Sequence, residues 1–398
     1  MRINVLALSY LFPNRAQPAY GIFVLHRLRA VRELCNVKVI APIQWYPLIR
    51  LLRGALWGSG IPQREEIAGL DVYHPRFAVV PRYLKWWDAL SFFWSTRSVV
   101  RRLRRQAFEF DLIDTHWTYP DIVAACLLAR ESGKKFIVTI RGHEALYLEE
   151  NTIRRRLVAH YLRKADSVVA LSEELRGKVL ELGVAPEKVR VVLNGVDVTH
   201  FRPLDSQDCR RRLGLPAERR ILLSVGRLAA GKGHQDLIAA LAELPADANA
   251  DLYIIGGVNP EDDFRQALQA LISRLGLTNV HLVDQVNHDL LPLWYGAADV
   301  FCLASKREGC PNVVLEALAC GTPVVVTDVG AVGEVVTNAE NGFLVGPRHV
   351  TSLAQAMRAA LEHRWDRSAI AVRMSQWGWA RCAEQVHELY EQVLRGAQ

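Results

Sequence analysis

The chain has 398 residues, half of them hydrophobic and 23% charged, which is ordinary for a globular protein and enough for two or three domains with their own cores. Its net charge of +7 is uneven: residues 1–105 hold 17 Lys and Arg against 5 Asp and Glu, and the remainder holds 32 against 37. Seven scattered cysteines without a C-x-x-C argue against a disulfide framework or a zinc site and for a reducing, cytoplasmic compartment, and no apolar run reaches the ~18 residues of a membrane span.

The apolar run from Ile3 could pass for a signal peptide, but no A-x-A-like cleavage site follows and Pro13-Asn14 reads as a turn, so a buried first strand is expected. Strand-like runs continue at Val37–Ala41, Leu112–Trp117, Phe136–Ile140, Val168–Leu171 and Val189–Leu193. Helical patterns at Ile22–Leu34, Tyr119–Ser132 and Thr152–Lys164 alternate with them, which predicts a parallel, doubly wound α/β sheet. The stretch from Gln44 to about Lys85 breaks this rhythm with Pro, Gly and aromatics and reads as an outward-facing insertion. Five of the ten Trp (45, 57, 86, 87 and 94) lie among the basic residues of the first 105. That mixture suggests an anionic membrane surface, whereas no motif supports nucleic acid.

Turn residues from Asn194 to Pro203 mark a joint. Beyond it the pattern repeats, with strands at Ile221–Val225, Leu252–Ile255, Val280–Val283, Val300–Leu303, Val324–Thr327 and Phe343–Val345. Helices are expected at His234–Leu244, Phe264–Leu275, Leu290–Ala297 and Ser352–Glu362. The expected domains are residues 1–196 and 204–375, each Rossmann-like, with ligands in the cleft between them. A final helical stretch carries Trp379, Tyr390 and Leu394.

One segment concentrates the chemistry. Ser305 to Val326 runs from one buried strand to the next through a short helix, with Pro311 suited to its first position and Gly321 and Pro323 to its end. No Ser, Thr or Asp stands at the expected cap near Gly309 and Cys310, so the first N–H groups form a ready anion site. Glu308 and Glu316 flank this helix start, where carboxylates can accept from sugar hydroxyls.

The phrase Arg307-Glu308-Gly309-Cys310-Pro311-Asn312-Val313-Val314-Leu315-Glu316-Ala317 resembles the E-x7-E motif of the retaining GT-B glycosyltransferases of family 4. The resemblance implies two Rossmann-like domains facing a central cleft, with the C-terminal helix, about 378–398, crossing back onto the first domain. It also implies that Glu308 contacts the donor sugar, that Glu316 accepts from ribose hydroxyls, and that the amides of Gly309 to Asn312 bind sugar and phosphate oxygens. No metal is then required, in keeping with the absence of an Asp-x-Asp.

Gly226-Arg227-Leu228-Ala229-Ala230-Gly231-Lys232-Gly233 has the spacing of a P-loop, but Gly233 stands where Ser or Thr would hold Mg²⁺. It resembles instead the family's G-R-L-x3-K-G signature, which implies that Arg227 and Lys232 grip the diphosphate and that Gly226 belongs to the donor site. In the first domain, Thr139 to Glu144 resembles the family's T-x-H-G-x-D segment, with Arg141, expected to bind the donor, at the usual His position and His143 two residues later. His143 would meet the donor sugar or position the acceptor. Gly21, in place of the family's double Gly, would let backbone approach the diphosphate. The function expected is transfer of a hexose-type sugar from a nucleotide diphosphate donor to an acceptor hydroxyl, on a lipid-linked glycan of a bacterial envelope or exopolysaccharide. A nucleotide-sugar epimerase or phosphorylase of the same fold, or a non-catalytic nucleotide-sugar-binding module, remains open at this stage.

Overall fold

A computed structural model describes residues 2–46, 60–79, 85–142, 146, 153–257 and 263–396. The chain divides into two compact units, Met1–Asn194 with Trp379–Gln398, and Gly195–Gly378.

The first unit holds β1 (Asn4–Leu8), β2 (Asn36–Ile40), β3 (Ile43–Trp45), β4 (Arg64–Ile67), β5 (Leu70–Tyr73), β6 (Arg76–Ala78), β7 (Leu112–Thr115), β8 (Lys135–Ile140), β9 (Ser167–Ala170) and β10 (Val189–Val191). Its main sheet has the order β10-β9-β8-β7-β1-β2-β5-β4, parallel except for the β4–β5 pair. The expected outward insertion is thus corrected: two of its strands lengthen the main sheet, while β3 and β6 form a separate pair. Arg64-Glu65-Glu66-Ile67 has the polarity of an edge strand, which an apolar-run search passes over. The other part of that stretch, including Trp57, lies outside the described residues.

The helix Trp379–Arg395 completes this unit. Cys382, Ala383, Val386, Leu389 and Tyr390 join Val5, Ala7, Val24, Leu28 and Ile137 in one buried cluster. Tyr390 hydroxyl donates to Asp114 Oδ2 at 2.5 Å, tying the helix to β7.

The second unit carries β11 (Arg220–Val225), β12 (Ala250–Ile255), β13 (Val280–Val283), β14 (Val300–Leu303), β15 (Val324–Thr327) and β16 (Gly342–Val345). Among the described residues they make one parallel sheet of order β13-β12-β11-β14-β15-β16. The chain works outward from β11 through β12 and β13, then crosses to the other side for β14 to β16. In such sheets, ligands bind outside the carboxyl ends at this reversal. In the first unit the corresponding point lies between β1 and β7. Among the described residues, no helix is long and apolar enough to cross a membrane.

Candidate active site

In the second unit, the loops leaving β11 and β14 meet at the reversal point. Lys306 N–H donates to Gly231 carbonyl at 2.9 Å. Gly233, at φ +70°, packs so closely that a Cβ there would sit 1.8 Å from the carbonyl oxygen of Ala304. The position where a P-loop needs a hydroxyl therefore admits no side chain. Gly256 serves a similar fit, since its Cβ would lie 1.9 Å from Gly226 oxygen. Its close approach is to the chain's own backbone. Gly330 presses on the carbonyls of Glu308 and Gly309, and Ala331 N–H donates to Gly309 carbonyl at 2.9 Å, which fixes the third side of the loop. A Cβ at Gly226 itself would meet only ordinary contacts, so internal packing does not demand a glycine there.

This scaffold brings Lys232 and Glu308 together: Lys232 Nζ donates to Glu308 Oε1 at 2.6 Å. Arg227 is exposed on the same loop. Behind them His234 is buried, within 3.1 Å of Arg227 carbonyl through Nε2 and 3.4 Å of Ser224 Oγ through Nδ1. Burial pushes its imidazole down to about 4, so the ring is neutral and holds the loop as a hydrogen-bonding spacer.

The short helix spans Asn312–Ala319 and has no side-chain cap hydrogen bond. Its cap residue is Pro311, which corrects both the expected cap at Gly309 or Cys310 and the placement of Pro311 inside the helix. With ψ at 103°, Pro311 is still extended. Gly309 and Pro311 are buried, whereas Cys310 and Asn312 are partly exposed. Glu316 lies on the helix face turned inward. Its Oε2 accepts from the buried Tyr295 hydroxyl at 2.9 Å, and its Oε1 lies 3.3 Å from His288 Nε2. The hydrogen bond to Glu316 raises His288 above the ordinary imidazole range. Neither Tyr295 nor His288 was visible as a partner in the sequence. Tyr295 lies inside the expected helix Leu290–Ala297, and His288 falls in the turn before it, where Asn287 accepts from Asp289 N–H at 3.1 Å.

In the first unit, Gly21 caps the helix Ile22–Arg32 at φ +68°, and a Cβ there would meet Leu11 backbone at 2.5 Å. The turn is by itself sufficient reason for the missing side chain. Arg141 is buried: Nη2 donates to His116 Nδ1 at 2.9 Å, Nη1 donates to Asn194 Oδ1 at 3.3 Å, and the guanidinium lies over the Phe23 ring. Because Arg141 donates to Nδ1, the His116 ring is neutral, and burial pushes its pKa down. His143 lies outside the described residues.

A cavity of about 420 Å³ opens where the loops after β1 and β7 diverge, lined by Tyr10, Tyr20, Gln44, Tyr46, Trp117 and Arg154 among others. Gln44 Nε2 donates to Tyr10 hydroxyl at 2.7 Å, and Tyr46 hydroxyl donates to Gln44 Oε1. Tyr10 N–H donates to buried Asp121 at 2.7 Å, and burial pushes that carboxyl up to about 8. Aromatic faces beside polar groups suit a sugar ring or another amphipathic ligand.

Comparison with known proteins follows this division. The model for glycosyl transferases group 1 matches residues 205–376, and that for Glycosyltransferase Family 4 matches residues 55–200. TuaC of Bacillus subtilis, a glycosyltransferase assigned to teichuronic acid biosynthesis, is 25% identical over 405 residues, 99% of either chain. An uncharacterized glycosyltransferase of Methanocaldococcus jannaschii is 30% identical over 310 residues, 75% of this chain and 77% of its own. HepE of Anabaena, crystallised with UDP and glucose, shares the fold with a TM-score of 0.73 at 21% identity, over 98% of this chain and all of its own. With two Rossmann-like units of the GT-B type and both family models matched, the chain belongs to the glycosyltransferases of group 1, family 4.

Proposed function

We propose that this glycosyltransferase moves a hexose-type sugar from a nucleotide diphosphate donor to an acceptor hydroxyl, with retention at the anomeric carbon and without a metal. The observation that carries this reading is the convergence of Lys232, Glu308 and an uncapped helix start on the sheet-reversal point of the second unit. Cleavage of the sugar–phosphate bond places negative charge on the departing diphosphate. Arg227 and Lys232 are the cations that oppose this charge, assisted by the backbone N–H groups of Gly309, Cys310 and Asn312. Lys232 has three donors and can hold Glu308 while reaching a phosphate oxygen. Glu308 receives a sugar hydroxyl. Glu316, held by Tyr295 and His288, receives the ribose hydroxyls. The leaving phosphate oxygen takes the acceptor proton as the new glycosidic bond forms on the same face. His143 meets the sugar or acceptor. Arg141, committed to His116 and Asn194, positions the strand end that leads to it.

The aromatic cavity of the first unit supports an acceptor site there. TuaC's assignment supports an envelope polysaccharide, and HepE's ligands support a nucleotide-sugar donor. Exposed Trp86, Trp87 and Trp94 stand on the helix Lys85–Arg105 with exposed Arg101, Arg102 and Arg105, a surface suited to anionic lipid and to a lipid-linked acceptor at the inner face of the cytoplasmic membrane.

A panel of UDP-, GDP- and ADP-sugars, with EDTA present and the product anomer read by NMR, tests the reaction. A retained anomer from at least one donor is expected, and an inverted anomer or a strict metal requirement overturns the mechanism. Sedimentation with anionic but not neutral liposomes at physiological salt, lost in a Trp86→Ser, Trp87→Ser, Trp94→Ser variant, tests the membrane contact.

A further inference from the structure

Away from Lys232 and Glu308, two turns of the second unit bring His200, His288 and Asp289 together, with one ligand atom from each within 4.8 Å of the others. Both turns are held firmly. Asp197 Oδ1 accepts from the backbone N–H groups of Thr199 and His200 at 3.0 and 3.1 Å, and the adjoining Phe201 is buried. The second turn is capped by Asn287 as described. The imidazoles of His200 and His288 stack 6.0 Å apart, 15° from parallel, with Phe201 edge-on to both. His200 Nε2 is shielded from water, makes no hydrogen bond among the described residues, and lies 4.0 Å from Asp289 Oδ1. A ring nitrogen withdrawn from water and left unsatisfied is costly, and the cost disappears when a ligand takes its lone pair.

We propose that His200, His288 and Asp289 form a binding site for a divalent transition-metal ion of the zinc type. Two imidazoles and one carboxylate suit Zn²⁺, Co²⁺ or Ni²⁺, whereas Mg²⁺ and Ca²⁺ favour oxygen ligands throughout. Zinc ligands stand ~2.0–2.2 Å from the ion, so the three groups close inward on loading, and exposed Asp289 has room to make that movement. Glu316 beside His288 Nε2 supplies the carboxylate partner that orients a ligating imidazole. Three protein ligands leave a position for water.

The test titrates Zn²⁺ calorimetrically into the full chain stripped with EDTA, without any sugar donor, and records the visible spectrum of the Co²⁺-loaded protein. One saturable site is expected, weakened by about tenfold or more in His200→Ala and in Asp289→Asn. Both variants should keep the metal-free unfolding temperature of the parent, and the Co²⁺ spectrum should be lost in His200→Ala. Absence of saturable binding overturns the proposal, and zinc affinity and a Co²⁺ spectrum unchanged in both variants overturn it by assigning the metal to other His or Cys side chains. Because no donor is present, a negative result leaves the glycosyltransferase reading intact, and failure of that reading leaves this one standing.

Discussion

Lys232 and Glu308 are 76 residues apart and meet at 2.6 Å, so a change at either reaches both. Lys232→Ala removes a charge-assisted contact to the diphosphate worth roughly 1.5–3 kcal/mol, and kcat/KM is expected to fall on the order of 10- to 100-fold. Glu308→Gln keeps the shape and an acceptor for Lys232, so steady-state kinetics should show kcat falling with fold and donor binding retained. His234, directly behind, gives a pH signature. Its folded value of about 4 lies below the ~6.5 of an unfolded His, so the unfolded chain binds the extra proton as pH falls. Its contribution is neutral above pH ~6.5 and becomes destabilising as pH drops toward 4, by up to about 3 kcal/mol. Denaturant unfolding of His234→Gln between pH 4.5 and 7.5 should therefore show a flatter pH dependence than the parent. An identical slope would show that His234 takes up its proton at the same pH in the folded and unfolded chain.

At the scale of elements, the donor-side loops are shaped by glycines that meet backbone. Gly233→Ala combines a left-handed φ with a contact at 1.8 Å to Ala304 oxygen, and should cost about 3 kcal/mol or more. Gly231→Ala, two residues away with nothing within 4 Å, should stay within ~0.5 kcal/mol. Urea unfolding of the pair separates packing from composition, and equal losses would contradict the account. The same loops show where sequence was legible. Apolar runs gave the parallel strands outside residues 43–78 because both faces of such a sheet are buried, and the Glu308 to Glu316 phrase gave the helix start because its punctuation is local. Partnerships were not legible, since Glu316 with Tyr295, and Gly256 with Gly226, depend on which strands become neighbours. The edge strand β4 was missed because polar alternation at a sheet margin resembles a loop. The cap was displaced by one residue because Pro suits either side of a helix start.

Across the whole molecule, the first unit is finished by the last residues of the chain. The helix Trp379–Arg395 inserts Cys382, Val386 and Tyr390 into a core otherwise made by the first two hundred residues, so the unit forms fully only once the chain has passed through the second unit and returned. The anchor is electrostatic as well as apolar. Burial pushes Asp114 up, but neighbouring His116, the Tyr390 hydroxyl and the Arg27 guanidinium outweigh it and hold the carboxyl below its usual range. Tyr390→Phe keeps the ring in the core and removes the donor from a buried carboxylate, a loss of about 1.5–3 kcal/mol. The Asp114 pKa then rises only part of the way toward its unfolded value, because His116 and Arg27 still lower it, so the difference between parent and variant is full above the unfolded pKa and fades as pH falls and the carboxylate is protonated in both states. Hydrogen exchange followed by unit is the decisive measurement. Protection should drop in Ile22–Arg32, β1 and β7, which pack around this helix, and remain at parental level in β11 to β16. A uniform loss over both units would mean that the two fold as one cooperative body, and that the returning helix stabilises more than the domain it completes.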